Sequence, residues 1–106
     1  VPVTVFAKGA WFALEDIADL NCNVVGLDWG MNPQECRKIL GSKVLQGNLD
    51  PCNLYASPKE LEKATTSMLN RFGSGRHIAN LGHGVYPDTP LDNVKCFVNT
   101  VKAYRY

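Results

Sequence analysis

The chain has few of the features that define the large functional classes, and each shortage excludes something. Its four cysteines, Cys22, Cys36, Cys52 and Cys96, stand far apart in sequence, so the close pairs of a zinc ribbon or a thioredoxin-like site are missing. There are only two histidines. No apolar run approaches the ~20 residues needed to span a bilayer. Charge of either sign is not in excess: 11 basic against 10 acidic residues leave a net charge of +1. That balance argues against a nucleic-acid-binding tract or a polybasic membrane patch. An initiator Met and the charged start of a signal peptide are also missing, and Val1-Pro2-Val3-Thr4-Val5-Phe6 opens inside a strand-like run. The chain is therefore expected to be a fragment of a longer cytoplasmic protein with reduced thiols and no bound metal.

What is present is enough for a folded domain. Hydrophobic residues make up 45% of 106, a proportion that supports one small core. Four times an apolar strand-like run ends in polar residues and Gly, and a helix-like segment follows. The junctions are Ala7-Lys8-Gly9, Gly26-Leu27-Asp28-Trp29, Gln46-Gly47-Asn48-Leu49-Asp50-Pro51 and Asn80-Leu81-Gly82-His83-Gly84. This is the rhythm of an α/β chain that builds a (β/α)8 TIM barrel, with chemistry at the carboxyl ends of the strands.

The expected strands are 3–7, with burial on both faces, 24–29, 44–48 and 77–81. The first helix is expected from the spacing of Trp11, Phe12, Leu14, Ile17, Ala18 and Leu20. Asn32-Pro33-Gln34-Glu35 and Ser57-Pro58-Lys59-Glu60 read as capped helix starts, and Gly41 and Gly73 as helix stops. Leu61, Ala64, Met68, Leu69 and Phe72 form the apolar stripe of the third helix. Val94, Phe97, Val98, Val101 and Tyr104 form that of a fourth, opened by Thr89-Pro90. Four units of about 26 residues are half of an eight-unit barrel. Residues 1–106 are thus expected to be one half-barrel whose outer strands and inward face need the other half to cover them.

His83, between two glycines just after a strand, is the first candidate for chemistry: an imidazole there can titrate near neutrality, bond a carboxylate or move a proton. The alternative is a structural His bonded to a nearby carbonyl. Asp28 is either an acid–base group or the cap of its turn. Gln46 and Asn48 are expected on one strand face, where their amides bind substrate oxygens or tie loop backbone; Asp50, before Pro51, reads as a turn residue. Lys8 is a possible cation beside an anionic ligand. Trp11, Trp29 and Tyr86 are candidate walls of an aromatic pocket. Arg76 and His77 precede their strand and read as structural, and Gly73-Ser74-Gly75 follows a helix, the wrong order for a phosphate loop.

Three blocks together, 24–29, 45–55 and 78–88, resemble the carboxyl-terminal portion of the uroporphyrinogen decarboxylase family, and the resemblance runs through essentially the whole chain in order. It implies a TIM barrel, a cytoplasmic homodimer, and a lyase of porphyrin and haem biosynthesis. That lyase converts uroporphyrinogen III to coproporphyrinogen III by removing carbon dioxide from four acetate arms, without metal or organic cofactor. It also implies that His83 contacts this small-molecule substrate. The family's pyrrole-binding aspartate and its arginine anion clamp belong to earlier barrel units, so the catalytic acid is expected outside this segment, and the segment alone is expected to be inactive. The near-neutral charge agrees, because an octa-anionic substrate asks for concentrated positive charge. Asp28, Gln46, Asn48 and Asp50 match motif positions without implied contacts. Two rival readings are a non-catalytic half-barrel that binds a partner, and a zinc- or cobalamin-linked methyltransferase of the same barrel type.

Overall fold

The computed structural model describes residues 1–106. Four strands, β1 (Thr4–Phe6), β2 (Val24–Gly26), β3 (Val44–Leu49) and β4 (His77–Leu81), form one parallel sheet in the order β1-β2-β3-β4. Helices α1 (Leu14–Ala18), α2 (Pro33–Leu40), α3 (Pro58–Phe72) and α4 (Leu91–Ala103) follow them in turn. Consecutive helices touch one another, α1 to α2, α2 to α3 and α3 to α4. Sequential parallel strands under a continuous row of helices form one arc of a (β/α) barrel.

Local chemistry accounts for the helix ends. The Asn32 side chain accepts from the Gln34 and Glu35 amides, and Pro33 occupies the first turn of α2, where its missing N–H costs nothing. Ser57 caps α3 through the Glu60 amide. Both helices end at glycines with positive φ, 62° at Gly41 and 72° at Gly73. At the amino-terminal face, cationic side chains satisfy stray carbonyls. Arg37 donates to the carbonyls of Gly41, Lys43 and Arg76, and Lys43 to those of Leu20 and Cys22.

Register divides the sheet into two unlike faces. Paired residues point the same way, so Val5, Val25, Leu45 and Leu49 lie on the helix side. There Val25, Leu27 and Leu45 meet Leu14, Ile17, Cys36 and Leu40 in one buried cluster, and Leu49 meets Leu61, Met68, Leu69 and Phe97 in a second. His77 also turns to this side. Its ring stacks on Phe72 with centroids 3.7 Å apart, and Nε2 donates to the Gly47 carbonyl at 2.7 Å. Burial lowers its pKa, favouring the neutral imidazole that this bond uses. The opposite face carries Phe6, Gln46, Ile78 and Asn80, and here Phe6 is 46% and Ile78 45% exposed.

Three expectations need correction. β1 is shorter than 3–7 and is not buried on both faces, because only its helix side, with Val5, is covered while Thr4 and Phe6 lie on the open face. β2 ends at Gly26 instead of Trp29: Leu27 still bonds to the Gln46 carbonyl, but Asp28 turns away to cap its own loop. The first helix shrinks to five residues after a 3-10 turn, Trp11–Ala13, and only Leu14 and Ile17 of its stripe are buried. Trp11 and Phe12 are 70% and 75% exposed, since no element of this chain reaches them. On α4, Val98 is likewise exposed.

In the complete protein, Leu45→Ala should lower unfolding stability by about 2–5 kcal/mol, as for other buried leucines. If the barrel closes over the inner face, Ile78→Ala should also cost at least ~2 kcal/mol by denaturant unfolding. A change below ~0.5 kcal/mol, typical of surface sites, would contradict closure.

Candidate functional site

The carboxyl ends of the strands are tied together by side chains that bond to loop backbone. Asp28 is buried, and its carboxylate accepts from the Gly9 amide at 2.6 Å and the Gly30 amide at 2.9 Å. It fastens the loop after β1 to the loop after β2. Asn48, also buried, donates from Nδ2 to the carbonyls of Asp28 (2.9 Å) and Met31 (2.8 Å) and so adds β3 to the same assembly. Of the roles open to these two residues, both take the loop-tying one. Asp50 accepts from the Cys52 amide at 2.9 Å and sets the turn Pro51–Tyr55, as a residue before Pro51 should.

Gln46 and Asn48 do not share a surface. Gln46 lines the inner-face depression, whereas Asn48 is drawn under the β2 loop. Gly47 between them adopts φ 138°, so the alternation of an extended strand does not hold there. A side chain at this position would put Cβ 2.6 Å from the Leu27 carbonyl oxygen.

The loop after β4 is seated by a backbone contact. The Gly82 amide donates to the Leu49 carbonyl at 2.7 Å. A Cβ on Gly82 would lie 2.3 Å from the Trp29 nitrogen. Only glycine lets the two loops meet this closely, and His83 follows at once. Its half-buried ring lies 2.8 Å from the Gly84 carbonyl through Nδ1. A carbonyl can only accept, so Nδ1 carries hydrogen, and Nε2 is the nitrogen open to accept or, once protonated, to donate. The ring meets Tyr86 edge-on, with centroids 5.8 Å apart.

His83 lines the inner-face depression, a cavity of ≈ 360 Å³, with Phe6, Gly26, Gln46, Asn80 and Val85 among its walls. Amides, an imidazole and apolar side chains at strand ends are the makings of a ligand site. A larger depression of ≈ 680 Å³ lies between α3 and α4, lined by helix residues such as Glu62, Lys95 and Asn99, away from the strand ends. Lys8, Trp11 and Trp29 border a third, ≈ 270 Å³, beside Asp28. Tyr86 does not join them; it belongs to the His83 loop.

The four cysteines are free thiols, and burial pushes that of Cys36 up to about 11. No three His, Cys, Asp or Glu side chains are grouped as a metal ion requires. No helix is long and apolar enough to cross a membrane. One tie escaped sequence reasoning. The Tyr55 hydroxyl donates to Asp88 at 2.5 Å across 33 residues of chain, and no local pattern signals such a pair.

The Gly82 contact yields a paired test. Gly82→Ala should cost about 1–3 kcal/mol in the complete protein, because the new methyl meets backbone that cannot rotate aside. Gly84→Ala, with open space around its Cβ, should change stability by less than ~0.5 kcal/mol. Equal effects in denaturant unfolding would contradict this account of the loop.

Comparison with known proteins accords with this geometry. The family profile described as uroporphyrinogen decarboxylase (URO-D) matches residues 1–104. The chain is 53% identical over 105 residues to "Uroporphyrinogen decarboxylase" of Ovis aries, covering 98% of this chain and 29% of that protein. It is 43% identical over 106 residues to the protein of the same name from Christiangramia forsetii, covering 99% and 31%. The chain thus spans less than a third of the length of these relatives. A solved structure, "methyltransferase from Methanosarcina mazei", superposes with a TM-score of 0.80 over 95% of this chain and 31% of that one. At 22% identity it shows the shared fold alone. A match through all four βα units, including the Gln46–Pro51 and Asn80–Gly84 junctions, makes this chain a member of the uroporphyrinogen decarboxylase family.

Proposed function

We propose that residues 1–106 are the carboxyl-terminal half of a uroporphyrinogen decarboxylase barrel, and that His83 contacts the substrate. The observation that carries this reading is the coincidence of a family match through residues 1–104 with an imidazole on the inner-face cavity at the strand ends. The complete enzyme removes carbon dioxide from the four acetate arms of uroporphyrinogen III and releases coproporphyrinogen III. It is a cytoplasmic homodimer that takes no metal or organic cofactor.

The chemistry assigns a limited part to this half. Protonation of a pyrrole ring makes it a cation, which takes up the electron pair of the carbon–carbon bond as carbon dioxide leaves; a proton then adds to the exocyclic methylene to give the methyl, and the ring loses its extra proton. Such a reaction needs a proton donor, grips for the carboxylates, and groups that stabilise ring charge. The catalytic acid and the anion clamp lie in the other half. From this half, Nε2 of His83 donates to a substrate carboxylate when the ring is protonated, or as a neutral ring accepts from the N–H of the positively charged pyrrole, while Nδ1 donates to the Gly84 carbonyl. Gln46 and Asn80 add polar groups to the same wall, and Phe6 and Val85 its apolar part. Asp28, Asn48 and Asp50 hold the loops in place.

In the complete enzyme, His83→Asn should lower kcat/KM about 10- to 100-fold, the equivalent of one hydrogen bond to a charged group. Unchanged kinetics would refute the role. The purified 106-residue segment should form no coproporphyrinogen, because the anion clamp is elsewhere; robust turnover by it would overturn the division of labour.

A further inference from the structure

The loop that carries His83 is fixed at two places. Gly82, on the backbone of Trp29, is the first. The second lies five and six residues beyond His83, at Asp88 and Thr89, and is made by side chains. The Tyr55 hydroxyl, in the turn after β3, donates to Asp88 Oδ1 at 2.5 Å and lies 3.3 Å from Thr89 Oγ1. Thr89 Oγ1 donates in turn to the Tyr86 carbonyl at 2.7 Å. Tyr86 presents its ring edge-on to His83. Tyr55 itself stands in a braced turn, because Asn93 Nδ2 donates to the carbonyls on either side of it, Leu54 at 2.6 Å and Ala56 at 3.0 Å. Pro87, with its fixed φ, stiffens the span between Tyr86 and Asp88.

Tyr55 and Asp88 are both exposed, so their bond adds little to folding stability. What it does is set geometry. The bond to Asp88 raises the phenol pKa and keeps the donor proton on Tyr55. We propose that Tyr55 and Asp88 form a latch that positions the His83 ring, through Thr89 and Tyr86, for its contact with the substrate. They are positioning residues, with no contact to the reacting atoms. The inference rests on the substrate-binding role proposed for His83.

The test uses the complete enzyme with Tyr55→Phe, Asp88→Ala, Asp88→Asn, His83→Asn and the double variant Tyr55→Phe/His83→Asn. Steady-state kinetics are read beside the NMR resonance of a 13C-labelled His83 imidazole. Tyr55→Phe and Asp88→Ala should each displace that resonance and lower kcat/KM about two- to tenfold, the range of one exposed hydrogen bond. The unfolding midpoint should stay unchanged. Asp88→Asn, which keeps an acceptor for the phenol, should recover most of the loss. In the double variant, Tyr55→Phe should add nothing to His83→Asn. An unmoved His83 resonance, or losses that multiply in the double variant, overturns the latch while leaving an impaired His83→Asn to support the role of His83. Wild-type kinetics for His83→Asn would sink that role and, with it, the function given to the latch.

Discussion

One carboxylate and one amide hold the carboxyl-terminal rim together. Asp28 binds the amides of Gly9 and Gly30, while the Asn48 amide binds the carbonyls of Asp28 and Met31. The Asp28 and Asn48 side chains are buried, and a buried polar group left without a partner would cost about 1–3 kcal/mol. Their arrangement fixes where the β2 loop lies. That loop in turn provides the Trp29 backbone against which Gly82 rests, and Gly82 decides where His83 begins. The position of the imidazole therefore depends on Asp28 after β2 and Asn48 on β3, neither of which shares its depression.

The sheet has a finished face and an unfinished one. On the helix side, Leu45, Leu61 and Leu69 are fully enclosed, and each fully buried side chain of this size stabilises the fold by about 1.5–3 kcal/mol. On the other side Phe6 and Ile78 remain open beside Gln46 and Asn80. Both edges of the sheet, β1 and β4, carry unpaired backbone. The chain spans less than a third of the length of the relatives it matches.

Much of this was legible in the sequence because it is local. Asn32 and Ser57 cap helices through amides two or three residues away, Gly41 and Gly73 end them, and β4 occupies residues 77–81 as its pattern indicates. Four strand-to-helix junctions were therefore readable in order. Features that depend on distant neighbours were not. The stripe from Trp11 to Leu20 is apolar, but in this chain nothing covers Trp11 or Phe12. Gln46 and Asn48 were expected on one face, an expectation that fails at Gly47, whose φ of 138° leaves the extended range. The roles of Asp28 and Asn48 stayed open because their partners come from other loops. The Tyr55–Asp88 bond joins two βα units and had no signal at all.

The central claim is that the face bearing Phe6, Gln46, Ile78 and His83 is one wall of a tetrapyrrole cleft. A crystal structure of the complete protein with coproporphyrinogen bound tests it most directly. The account predicts further parallel strands beside β1 and β4, Ile78 enclosed, and a His83 ring nitrogen within about 3.2 Å of a polar atom of the ligand. A ligand bound elsewhere, with His83 turned away from it and Ile78 still facing solvent, would contradict the account.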